Sequence, residues 1–72
     1  MDNFTRLSPE SSNIAKGEYN AAEKTLTITF KRGGVYRYDG VPEDVALAYK
    51  GTESVGKFFF ANIKDKYPYT KL

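Results

Sequence analysis

The rhythm of polar and apolar positions changes along this chain, and each change predicts an element. Thr25-Leu26-Thr27-Ile28-Thr29-Phe30 alternates strictly, and all but Leu26 are β-branched or aromatic. That pattern predicts a strand with one dry and one wet face. Leu26, Ile28 and Phe30 share the dry face and the threonines share the other. A threonine ladder can bind ice or a ligand, but a solvated sheet face is the commoner meaning of such alternation. Residues 14–19 predict an earlier strand, joined through a hairpin loop at 19–24. Residues 35–39 predict a third strand after Lys31-Arg32-Gly33-Gly34, where paired glycines admit positive φ.

The register of the second hairpin decides where Tyr36 and Tyr38 point. A three-residue loop at 32–34 sets Phe30 opposite Tyr36, Ile28 opposite Tyr38 and Thr29 opposite Arg37. Both tyrosines then join the apolar face. A two-residue Gly33-Gly34 turn would instead set Arg37 against Phe30 and Asp39 against Ile28, leaving charges among apolar neighbours. The three-residue loop is therefore expected.

From Pro42 the period becomes helical. Proline suits the first helical position, Glu43 and Asp44 suit the positive end of the dipole, and Gly51 supplies the stop. Val45 and Tyr49, with Ala48 beside them, are expected to face the sheet. Thr52 or Ser54 caps a second helix reaching about Lys66. Val55, Phe59, Ile63 and Tyr67 make its apolar stripe, with Phe60 at the edge and Phe58 well off centre. The expected architecture is α+β: a three-stranded antiparallel β-meander followed by two α-helices packed on one face, β-β-β-α-α. Residues 1–10, with a turn at Ser8-Pro9-Glu10, read as a flexible N-terminal arm. Residues 11–68 form a single domain and 69–72 a C-terminal tail.

Composition narrows the function classes. The 72 residues include no cysteine and no histidine, but six tyrosines and five phenylalanines. The core must rest on rings and aliphatics, without disulfide or zinc staples. Met1-Asp2-Asn3 does not open a signal peptide, and no apolar run approaches the ~20 residues that span a bilayer. A cytoplasmic protein with no membrane partner is expected. Eleven basic and nine acidic residues leave a net charge of +2, too balanced to announce a nucleic-acid binder by itself.

The order Ser11-Ser12-x-Ile14, Leu26-x-Ile28-x-Phe30, Gly34-x-Tyr36-x-Tyr38, Val41-Pro42, Ser54-x-Gly56-x-Phe58-Phe59, then Ile63 and Tyr67, resembles the KTSC domain. Each piece is common; the ordered set, covering residues 11 to about 68, is specific. The family is named for a domain at the C-terminus of some lysyl-tRNA synthetases and also occurs as free-standing bacterial and phage proteins. The resemblance implies RNA binding by association and little else about activity. Phe60 departs from the family pattern, which has a small polar residue there, often Asn. An added ring implies either a self-association surface or a larger core.

An enzyme is not expected. No nucleophile, base and orienter stand together in the sequence, and no cofactor is called for. Nucleic-acid binding, RNA favoured, is the first expectation. Arg32 and Arg37 on the hairpin, and Lys57 and Lys64 two turns apart on the second helix, are the candidates for phosphate. Phe58 is the candidate for base stacking. The plainer reading of those lysines is a solvated helix face. The alternative function is a protein-interaction module, in a phage a modulator of a host protein. It would work through a sheet edge, Phe58, Phe60 and the Tyr67-Pro68-Tyr69 tail.

Overall fold

The computed structural model describes residues 3–7 and 13–72. Its elements are β1 (Phe4–Leu7), β2 (Ile14–Asn20), β3 (Thr25–Phe30), β4 (Val35–Asp39), α1 (Glu43–Gly51), α2 (Val55–Asn62) and β5 (Tyr69–Lys71). The five strands form one antiparallel sheet in chain order, and both helices lie on one of its faces. The α+β class and the two helices are as the pattern predicts; the strand number is not. The two added strands come from residues that read as an arm and a tail. The turn expected at Ser8–Glu10 and the Ser11-Ser12 pair lie outside the described residues.

Each added strand has a local cause. In β1, Phe4 stacks on Tyr19 with ring centroids 5.7 Å apart. Arg6 points to the same side, where its guanidinium donates to the carbonyls of Tyr49 and Lys50 at 2.7 and 2.9 Å. A cation on the last carbonyls of α1 satisfies acceptors that the helix itself leaves over. At the other edge, Tyr69 pairs with Tyr38, and Pro68 stands immediately before the strand, a position where proline is tolerated. The Pro68 carbonyl accepts from Asp39 N–H at 2.9 Å and the Val35 carbonyl from Leu72 N–H at 2.7 Å.

The predicted faces hold, while the β3–β4 register is displaced by two residues. Ile28 pairs with Tyr36, Leu26 with Tyr38, and Thr27 with Arg37. The loop is Lys31-Arg32-Gly33, not 32–34: Phe30 N–H donates to Gly34 O at 3.1 Å and Gly33 N–H to Phe30 O at 3.0 Å. Gly33 and Gly34 both take φ of +96°, which glycine alone adopts freely. Because side chains alternate with period two, a two-residue displacement leaves every side chain on its face. Strand β2 carries a bulge between Ile14 and Lys16. The extra residue turns Ile14 to the same face as Gly17 and Tyr19, and Ile14 is fully buried.

The core joins Ile14, Tyr19, Leu26, Ile28 and Tyr38 of the sheet to Val41, Ala46, Tyr49, Val55, Phe59 and Ile63. In α1 the buried residues are Ala46 and Tyr49; Val45 is half-buried and Ala48 exposed, so the helix is rotated slightly from the expected face. Val41 is held at both backbone groups, its N–H on Lys24 O and its carbonyl under the Tyr19 hydroxyl at 2.8 Å. Helix α2 ends at Asn62 rather than Lys66. The Lys64 N–H turns back to Phe59 O at 2.8 Å, and Asp65 takes a left-handed φ of 65° that stops the helix. This early stop lets the chain return as β5.

Gly17 lies directly beneath the ring of Tyr49. A Cβ added there would stand 2.7 Å from ring carbons Cε1 and Cζ, which are buried and cannot retreat. Gly17→Ala is therefore expected to destabilise the fold by about 1–3 kcal/mol. Thermal denaturation followed by circular dichroism checks this. An unchanged midpoint would mean that α1 yields to the methyl group.

Candidate nucleic-acid interface

The early end of α2, the β3–β4 loop and β5 meet at one end of the molecule. They enclose a groove of about 410 Å³ lined by Phe30, Tyr36, Tyr38, Phe59, Phe60 and Tyr69, with Asn13, Arg32, Gly33, Lys64 and Asp65 around it. The volume is within the range of small-ligand clefts.

Its aromatic wall is a closed circuit of ring contacts. Phe59 meets Phe30 at 5.7 Å, Phe30 meets Tyr36 at 5.5 Å, and Tyr36 meets Tyr69 at 5.5 Å. Tyr69 meets Tyr38 at 5.6 Å, and Tyr38 returns to Phe59 at 5.3 Å. Most of these pairs are tilted or edge-to-face, the arrangements that suit ring quadrupoles. Phe59 and Tyr38 are buried, whereas Tyr69 and Phe60 are 58% and 52% exposed. The circuit thus runs from core to surface and presents open ring faces to solvent. Lys64 Nζ stands 4.7 Å from the Phe60 ring centroid, a cation–π contact.

The five residues expected to bind separate onto different surfaces. Arg32 and Lys64 line this groove together. Arg37 is on the opposite face of the sheet, where its Nε donates to Asp39 Oδ1 at 3.1 Å, beside Thr27 and Thr70. Lys57 is exposed on α2 and outside the groove. Phe58 is half-buried, edge-on to Tyr49 at 6.3 Å, in a separate depression between α1 and α2. Phe60 and Tyr69, assigned from sequence to a protein-contact surface, supply the exposed rings here. Asp65 gave no sequence signal. The helical pattern of the sequence runs on through it to about Lys66, and nothing in that pattern marks the left-handed stop.

Burial pushes the Tyr38 phenol above its ordinary pKa of 10.0, and the neighbouring Tyr69, Tyr36 and Asp65 add to this. Tyr19 is also raised, by burial first and then by Glu43 and Asp44. Among the described residues no group of three histidine, cysteine, aspartate or glutamate side chains could hold a metal ion. Among the described residues no helix is long and apolar enough to cross a membrane.

Comparison with known proteins gives a consistent result. The KTSC domain family model matches residues 10–67. The lysine–tRNA ligase of Trichormus variabilis is 38% identical over 69 residues, which is 96% of this chain and 12% of that protein. An uncharacterized protein of Stutzerimonas stutzeri is 32% identical over 54 residues, covering 75% of this chain and 76% of its own length. The crystal structure of a KTSC domain protein from Yersinia pestis superposes with a TM-score of 0.85 at 33% identity, covering 96% of this chain and 99% of that one. The chain spans only about an eighth of the tRNA ligase it matches.

A phenol whose folded pKa is raised favours the folded state fully below its unfolded value. That contribution is lost as pH rises past 10 and through the folded value. Denaturant midpoints measured at about pH 8 and about pH 11 should therefore fall over this window. The fall should be smaller in Tyr38→Phe. An equal fall in both proteins would remove Tyr38 as a cause.

Proposed function

The chain belongs to the KTSC domain family, and we propose that it is a non-enzymatic module that binds single-stranded nucleic acid, RNA above DNA, weakly and through the aromatic groove. The observation that carries this reading is the meeting of Arg32 and Lys64 with the exposed rings of Tyr69 and Phe60 in one groove. Rings offer sequence-tolerant stacking, worth about 1–3 kcal/mol per base, and the two cations take phosphates on either side. Neither cation makes an ion pair with a carboxylate among the described residues. The lysine–tRNA ligase relatives act with tRNA by name, which supports RNA as the polymer.

A second reading rests on β5. Its residues are all exposed, and among the described residues it pairs with β4 alone. An extended segment of a host protein could add to that edge and fill the groove with side chains. Two copies could also pair there, giving a concentration-dependent mass. Stacking and main-chain pairing would persist in salt, whereas phosphate contacts would not.

Fluorescence anisotropy of labelled single-stranded RNA, tRNA and duplex DNA separates these readings. Two phosphate contacts predict a slope of about −1.4 in log K against log salt for a single strand. Arg32→Ala and Lys64→Ala should each flatten it by about 0.7. Arg37→Ala, on the far face, should leave it unchanged. Absence of binding by the folded protein at low salt would overturn the nucleic-acid reading and leave the protein-partner reading standing.

A further inference from the structure

Asp65 is the residue that a groove for phosphate and stacking alone does not explain. It lines the groove together with Lys64 and with Arg32 of the β3–β4 loop. It follows the C-terminal end of α2, where the helix dipole disfavours an anion. Its left-handed φ of 65° suits asparagine or glycine equally well, without the charge. Its carboxylate makes no hydrogen bond or ion pair with the described residues. Its charge adds, after burial and the two neighbouring tyrosines, to the upward push on the Tyr38 phenol pKa.

A carboxylate accepts hydrogen bonds through two oxygens in a fork and donates none. Of the four RNA bases, only guanine offers two adjacent donors on its Watson–Crick edge, N1–H and the N2 amine. Adenine and cytosine offer a single amine beside an acceptor. Uracil offers one N–H between two carbonyl oxygens that a carboxylate repels. A base stacked against Tyr69 or Phe60 turns its edge, not its face, toward the other side chains that line the groove, Asp65 among them.

Resting on the nucleic-acid reading above, we propose that the groove selects guanine in a single strand, with Asp65 accepting from N1–H and N2–H while Arg32 and Lys64 hold flanking phosphates. Uridine octamers carrying one central G, inosine, A or C, labelled at one end, test this by anisotropy at low salt. The G octamer is expected to bind about 5- to 10-fold more tightly than the A, C or all-U octamers, the low range for a bidentate base contact. Inosine, which lacks the N2 amine, should fall between. Asp65→Asn keeps the backbone conformation and should erase the preference while tightening binding to the other octamers. Equal, salt-sensitive binding of all octamers would overturn guanine selection and leave the nucleic-acid reading intact. A guanine preference that survives Asp65→Asn would overturn the assignment to Asp65. Binding of none would overturn both.

Discussion

The ring of Phe59 is buried where α2 crosses the sheet, in edge contact with Phe30 on one strand, Tyr38 on the next, and Phe60 on its own helix. It belongs at once to the core and to the groove wall. In a chain of 72 residues without disulfides, this ring and the fully buried Ile63 at the helix end tie α2 to the sheet. The position of Lys64 and Asp65, one turn further on, follows from where this ring sits. So does the path of the returning chain, since β5 begins only after α2 has been anchored and stopped.

At the opposite end, a different contact does similar work. Tyr49 lies flat enough on the sheet to require a glycine beneath it, and the carbonyls at its end of α1 are closed by Arg6. The two helices are thus fixed by two aromatic residues, one over a missing side chain and one among other rings. The polar face of the sheet carries its threonines, the Lys16–Glu18 pair and the Arg37–Asp39 pair, with Leu7 and Val35 as apolar side chains among them. That division leaves the groove as the place where buried rings continue into exposed ones.

Periodicity made most of this legible. Strict alternation in β3 identified the inward face, and the cost of burying Arg37 and Asp39 chose the face of Tyr36 and Tyr38 correctly even though the loop was placed one residue late. Turn chemistry at consecutive glycines does not say which of them closes the loop, so the register moved by two. The bulge at the start of β2 leaves no mark in a pattern of apolar positions. The edge strands escaped because each is short and has a misleading inward or entering residue, Arg6 in one and Pro68 in the other. Of the residues that line the groove, Arg32 and Lys64 were legible as charges. Arg37, Lys57 and Phe58 lie on other surfaces: Arg37 on the threonine face as the register predicts, Lys57 exposed on α2, and Phe58 turned toward Tyr49, a contact that a helix stripe alone does not reveal. Tyr69 and Phe60 were visible as rings, but their meeting depends on the stop at Asp65.

Strand order that repeats chain order has a kinetic side. Every strand pairs only with its sequence neighbours: β2–β3 and β3–β4 close through short loops, β4–β5 only across both helices, and the sheet can grow outward from its centre. The same topology lets either edge strand open without breaking a hydrogen bond among the other four. One wall of the groove, Tyr69, rides on such an edge, in a strand three residues long. The ligand capture proposed for the groove and local unfolding would therefore draw on the same segment. A bound strand would lengthen the hydrogen-exchange lifetime of β5 far more than that of β3, which tells occupancy apart from a general gain in stability.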